Sequence, residues 1–144
     1  MGKKRVIKKS GASQDLSLRN RALAKLTKKK IVSGKLYVEA TYNNTKISLT
    51  DKAGNVIIWS SSGALGFKGA KKGTPFAAAK VGEVVGERAK NAGVKDVDVI
   101  ITGVGSGRES AVRSFIGYGI EVNSIEDRTP VPHNGPKAKN PRRV

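Results

Sequence analysis

The 144-residue chain predicts a single α/β domain, a mixed five-stranded sheet with helices packed on it in the order βββαβαβ, carrying a basic extension at each end. Three observations predict it. From residue 35 onward, apolar and polar residues alternate with a period of two in two successive segments, and a third short strand-like segment follows across a hairpin loop. Two later stretches repeat apolar residues every three to four positions, and a short strand-like run follows each. The positive charge lies mostly outside this patterned region.

That charge divides the chain. There are 28 Lys and Arg against 11 Asp and Glu, a net charge of +17. Residues 1–35 hold 12 basic residues and one acid, net +11; residues 36–127 hold 11 and 10, net +1; residues 128–144 hold five and none, net +5. We therefore divide the chain into a basic extension at 1–34, an α/β core at 35–127 and a basic tail at 128–144. Such an excess repels itself in isolation and points to a polyanionic partner.

Within the extension, Leu16, Leu18, Ala22, Leu23 and Leu26 form one weak helical stripe among many Lys and Arg. It is expected to order only on a partner. The core opens with Leu36-Tyr37-Val38-Glu39-Ala40-Thr41, a half-buried strand, followed by a turn at Asn43-Asn44. Thr45 to Thr50 is a second strand with Ile47 and Leu49 on one face. Asp51 to Asn55 is a hairpin loop in which Gly54 supplies a positive φ, and Val56 to Ser60 is a third strand.

Ser60 to Thr74 reads as a glycine- and lysine-rich loop. Thr74 then caps a helix that starts at Pro75 and stops at Gly93, with Ala77, Val81, Val84, Val85, Ala89 and Ala92 on its apolar face. Val94 to Ile101 supplies a fourth strand whose nearly continuous apolar run suits cover on both faces. A glycine loop leads into a helix over Glu109 to Gly117, with Ala111, Val112, Phe115 and Ile116 inward. Ile120, Val122 and Ile125 mark the last strand, and the Pro-rich residues from Arg128 form the tail.

Composition excludes several functions. With no Cys there is no disulfide, thiol chemistry or Cys-based metal site, and a single His, His133, excludes a His-rich one. No apolar run approaches the roughly 20 residues that span a bilayer. The basic start lacks the apolar centre of a secretory signal, so a soluble intracellular protein is expected; an organelle transit segment is the competing reading. No cofactor is expected.

Two glycine motifs deserve weighing. In Gly66-Phe67-Lys68-Gly69-Ala70-Lys71-Lys72-Gly73-Thr74, glycines admit close backbone approach and three lysines add charge beside a helix N-terminus. It lacks the Gly-Lys-Ser/Thr ending of a nucleotide P-loop. A solvated surface loop is the plain alternative; the net charge favours a backbone-phosphate contact. Gly103-Val104-Gly105-Ser106-Gly107-Arg108 departs from a dinucleotide fingerprint in its spacing. A tight structural turn and an RNA-phosphate cradle, with Arg108 and Arg113 on the next helix, both stay open.

Catalysis is poorly provided for. Ser106 has no evident base, and Asp96 and Asp98 share a strand face as solvated carboxylates. Trp59, in the third strand, reads as core rather than as a base-stacking platform. The residues thus point to a structured-RNA binder built into a larger particle. The rivals are a stand-alone nucleic-acid-binding regulator and an enzyme on the same scaffold.

A further set of strings occurs in a definite order: Asn43-Asn44-Thr45, Asp51 with Gly54-Asn55, Trp59-Ser60-Ser61, Gly66-Phe67-Lys68-Gly69, and Thr74-Pro75-Phe76-Ala77-Ala78. Gly103, Gly105 and Gly107-Arg108-Glu109 follow, then Asp127, Thr129-Pro130, Pro132-His133-Asn134-Gly135 and Arg142-Arg143-Val144. From about residue 35 to the end the chain resembles the universal small-subunit ribosomal protein eleven family, in its bacterial or organellar form. It departs in Val104, where the family often has Pro, and in Gly135-Pro136-Lys137, which replaces a usual Gly-Cys-Arg-Pro run.

The resemblance implies a ribonuclease-H-like fold without its catalytic acids, hence no enzyme, on the platform of the small ribosomal subunit. It implies contacts with the central and 3′ regions of small-subunit ribosomal RNA. The sixth, seventh and eighteenth small-subunit proteins would be neighbours, and messenger RNA would leave nearby. Neither membrane nor DNA is expected as a partner. A cytoplasmic ribosome is the expected location, an organellar one the alternative. The residues expected at RNA are Asn43, Asn44, Lys68, Lys71, Lys72, Arg108, Arg113, His133, Asn134, Lys137, Lys139, Arg142 and Arg143.

Overall fold

The structure, a computed structural model, describes residues 30–141 and Arg143. The helical stripe expected at Leu16 to Leu26, most of the basic N-terminal extension, and Arg142 lie outside the described residues.

Five strands form one mixed sheet: β1 (Ser33–Ala40), β2 (Thr45–Asp51), β3 (Val56–Ser61), β4 (Asp96–Thr102) and β5 (Glu121–Asp127), in the spatial order β3-β2-β1-β4-β5. The first three make the antiparallel meander, while β4 lies parallel to both β1 and β5. The two helices are α1 (Pro75–Asn91) and α2 (Arg108–Ile116). The α/β class, the strand count and the element order read from the sequence are those observed.

Local chemistry explains the elements. Thr74 holds an extended backbone, and its Oγ accepts the Ala77 N–H at 3.3 Å, capping α1 directly before Pro75. The β2–β3 hairpin is closed by Asp51, whose carboxylate accepts the Asn55 N–H and the Asn55 Nδ2 amide, both at 2.9 Å. Those bonds, the side-chain amide first, hold the Asp51 carboxyl below its ordinary value.

The core lies between the sheet and both helices. Leu36, Val38, Ile47, Leu49, Ile58, Val97 and Val99 come from alternate strand positions and meet Val81, Val85 and Ala89 of α1 and Ala111, Val112 and Phe115 of α2. The helices pack on each other at Gly82, where a Cβ would sit 2.5 Å from the Ala111 carbonyl oxygen.

Three expectations need correction. First, β4 is central by pairing, but the helices cover only one sheet face. Asp96 and Asp98 are half-buried on the other face, where they accept hydrogen bonds from Asn123 and Ser124 of β5. Ile100 is buried there too, outside the helix-side core, in register between Tyr37 and Glu126. Second, Trp59 is not core. Its neighbours Ile58 and Ser60 point inward, so strand alternation turns the indole out on an edge strand at 58% exposure. Third, Ile116 is exposed, facing the open groove between α2 and β5 rather than the core. Ile125, in the last strand as expected, is exposed across that groove because β5 is the opposite edge.

One buried polar group is mismatched. Thr45 is fully buried, and its Oγ1 has no hydrogen-bond partner among the described residues. Thr45→Val keeps the shape and removes an unsatisfied hydroxyl, so the variant is expected to be more stable by about 1 kcal/mol. Urea denaturation reads this as a raised midpoint with an unchanged slope.

Candidate nucleic-acid interface

The topology gathers four segments at one end of the sheet. β1, β3, β4 and β5 all end there and β2 begins there, so the β1–β2 turn, the β3–α1 loop, the β4–α2 loop and the C-terminal tail emerge together. Both helices also start at this end, which turns their unpaired N–H groups and positive dipole ends the same way. The first turn of α1 contains no acidic residue.

The loops are fastened to one another rather than splayed. Gly105 donates its N–H to the Ala40 carbonyl at 2.8 Å, and a Cβ on Gly105 would lie 2.3 Å from the Thr41 carbonyl oxygen. Ser106 Oγ donates to the Gly73 carbonyl at 2.9 Å, joining the β4–α2 loop to the β3–α1 loop. That bond gives Ser106 a structural task. Asn44 Oδ1 accepts the Gly63 N–H at 3.4 Å, and the Asn44 backbone exchanges hydrogen bonds with Thr41. The segment read as a plain loop is itself ordered, by turns over Ser61 to Phe67 and a 3-10 turn at Gly69–Gly73.

On this frame, Lys68 and Lys71 are exposed and Lys72 is half-buried, with its stem against Gly63. Asn43 is exposed on the β1–β2 turn, next to Tyr42 at 79% exposure. Phe76, in the first turn of α1, is also exposed; its ring meets Phe67 edge-on at 6.1 Å, and Lys80 Nζ lies 5.7 Å from its centre. Exposed aromatics therefore interleave with the lysines. The sequence reading missed Tyr42 and Phe76; the signal available was Tyr beside Asn-Asn and Phe directly after the helix-starting Pro.

Arg108 and Arg113 line one groove of about 470 Å³, with Ile101, Val112, Ile116 and Ile125, but differ in what they do. Arg113 is exposed more than a turn further along α2. The structure does not bring it together with the lysines. Arg108 is engaged rather than presented. Its guanidinium donates to the Gly103 carbonyl, to Thr129 Oγ1 at 3.2 Å and to the Asp127 carboxylate. Asp127 also accepts the Thr129 N–H at 2.9 Å and the Thr129 hydroxyl at 2.6 Å. Gly103 N–H closes the ring by donating to Thr129 Oγ1 at 3.2 Å. The sequence reading quoted these residues without pairing them, because Arg108 and Asp127 are 19 positions apart.

The Thr129 hydroxyl first, and the Arg108 guanidinium next, lower the Asp127 carboxyl to about 2. A depressed carboxyl contributes stability in full above its unfolded value, and the contribution is lost as pH falls towards the folded one. Relative to Asp127→Asn, the protein should therefore be more stable near neutrality, with the difference vanishing between about pH 4 and pH 2. Urea midpoints of both proteins across that range check it.

Beyond Arg128 the tail has no helix or strand through residue 141; His133, Asn134, Lys137 and Lys139 are exposed along it, as is Arg143. Asn134 adopts a positive φ of 52°. Among the described residues no helix is long and apolar enough to cross a membrane, and no cluster of His, Cys, Asp or Glu is arranged to hold a metal ion.

A small α/β domain that ends in cationic, aromatic-bearing loops is a structural, polyanion-directed module. The sequence comparison gives that class a family. The model for ribosomal protein S11 matches residues 34–143, and the chain belongs to that family. It is thus a structural protein of the small ribosomal subunit and not an enzyme, and its family implies binding to small-subunit ribosomal RNA and to other ribosomal proteins.

Proposed function

We propose that this protein holds ribosomal RNA at the loop end of its sheet, on the platform of the small subunit, and supports assembly there and the region where messenger RNA leaves. The observation that carries the reading is the convergence of the lysine loop, the Asn43-Asn44 turn, both helix N-termini and the tail on one end of the fold. Lys68, Lys71 and Lys72 would neutralise phosphates, and Tyr42 and Phe76 would stack on splayed bases. His133, Asn134, Lys137, Lys139, Arg142 and Arg143 would enter RNA crevices too narrow for a folded domain. Residues 1–34, 35–127 and 128–144 would act as arm, docking core and tail. Asn43 would contact RNA directly, whereas Asn44 would act by shaping the turn; Arg113, further along the groove that starts at Arg108, would serve a second contact. The sixth, seventh and eighteenth small-subunit proteins would be the neighbours, in a cytoplasmic ribosome.

Gradient sedimentation of a lysate, with and without ribonuclease, combined with crosslinking of the gradient fractions, tests the reading. Migration with small subunits, lost on ribonuclease treatment, with crosslinks from residues 68–72 to the central and 3′ RNA regions, is expected. A free protein of 15.2 kDa at the top of the gradient would overturn it in favour of a stand-alone regulator.

A further inference from the structure

The network around Arg108 has a consequence beyond stability. Arg128 donates its N–H to the Ile101 carbonyl at 2.9 Å, and Thr129 is then tied to Asp127, Arg108 and the Gly103 N–H. Directly afterwards come Pro130 and Pro132, whose rings fix φ. The chain's heading is therefore fixed at Thr129, and the prolines carry it into the next residues. The Arg108 side chain is 29% exposed and the Asp127 side chain 50%, with the two groups joined.

We propose that Arg108, Asp127 and Thr129 form a latch that aims the C-terminal tail, so that Arg108 is a positioning residue for RNA binding rather than a phosphate contact. The inference rests on the tail's proposed role at RNA. Three features support it. The guanidinium spends its two terminal nitrogens on protein acceptors. A carboxylate stands beside it, which is unfavourable for a phosphate site. The latch joins the tail to the same β4–α2 loop that Gly105 and Ser106 fasten to the other two loops. A tail whose first residues are already ordered has less conformational entropy to lose when it binds.

The discriminating variant is Asp127→Asn. Removing a negative charge near RNA should by electrostatics alone strengthen binding; losing the latch should weaken it. Affinity for transcribed small-subunit ribosomal RNA is measured for the full chain and for a chain ending at Thr129, each with and without the substitution. The expected result is a loss of about 10-fold in the full chain, equal to ordering one or two residues, and no loss in the shortened one. Thr129→Val, which leaves the charge intact, should act in the same direction. Arg108→Lys keeps the charge but not the planar fork, and should also bind more weakly.

Equal effects in full and shortened chains, or tighter binding by Asp127→Asn with Arg108→Lys unaffected, would overturn the latch and return Arg108 to phosphate. A second readout needs no RNA. The Gly103 amide resonance should shift in Asp127→Asn and the Val131 amide should lose order, while the core spectrum stays fixed. An unchanged Val131 overturns the latch. If the shortened chain binds RNA as well as the full one, it is the tail's role that fails, and the Val131 measurement still decides the latch.

Discussion

Gly103→Ala is expected to cost about 2–6 kcal/mol of stability, from the sum of a backbone penalty and an overpacking penalty. Gly103 has a φ of 102°, outside the range that side chains of L-residues adopt readily, and its Cβ would lie 2.2 Å from the carbonyl oxygen of Ala40. The backbone contribution is about 1–3 kcal/mol and the steric one about 1–3 kcal/mol. Ala40 cannot move aside easily, because the same carbonyl accepts the Gly105 N–H and the residue is fully buried in β1. Gly119→Ala supplies the control. Its φ is also positive, 80°, but nothing lies within 4 Å of the added Cβ, so only the backbone penalty applies. Urea denaturation of both variants separates the two contributions, and equal losses would show that the approach of the loop to β1 does not constrain the fold. Since a domain of this size has only about 5–15 kcal/mol in hand, Gly103→Ala should also lower the amount of folded protein that enters ribosomes.

That the β4–α2 loop is held so closely was only half legible in the residues. Alternate glycines in Gly103-Val104-Gly105-Ser106-Gly107 fit both a structural turn and a phosphate cradle, since both require a backbone without Cβ. What separates the readings is the neighbour across the gap, and a sequence read along one dimension does not name it. The structure places the end of β1 against Gly103 and Gly105, so these two glycines serve packing, and under the proposed function the cationic role would fall to Lys68, Lys71 and Lys72 on the adjoining loop.

The elements themselves were far more legible, because local chemistry determines them. Thr74-Pro75 starts α1 at the position its cap dictates, and the alternation of Leu36, Val38 and Ala40 sets both the strand and its inward face. Errors arose where exposure depends on sheet position. Trp59 is a strand residue of the expected type, but it belongs to an edge strand, and edge status follows from the order β3-β2-β1-β4-β5 rather than from any local pattern. The Arg108–Asp127–Thr129 network was invisible for a similar reason: parallel pairing of β4 and β5 brings the end of the sheet back beside the start of α2.

Ending the chain at Thr129 should change how RNA binding responds to salt more than any single substitution. The cut removes Lys137, Lys139, Arg142 and Arg143 and spares the latch. Each cation seated on a phosphate contributes about 0.7–0.9 to the slope of log affinity against log salt, so four of them contribute about 3. Between about 50 and 200 mM salt the full chain should then lose about 60-fold more affinity than the shortened one. The core should be unaffected, because the described residues from 130 onward are exposed and form no helix or strand with it. Replacing Lys68, Lys71 and Lys72 by Ala gives the matching test of the loop, with a slope change of about 2–3 if all three seat on phosphates. Parallel salt slopes for the full and shortened chains would mean that the tail cations stay solvated. The loop lysines and the basic arm at residues 1–34 would then have to supply the electrostatic part of binding, and the combined Lys variant would read the loop's share as a lowered slope.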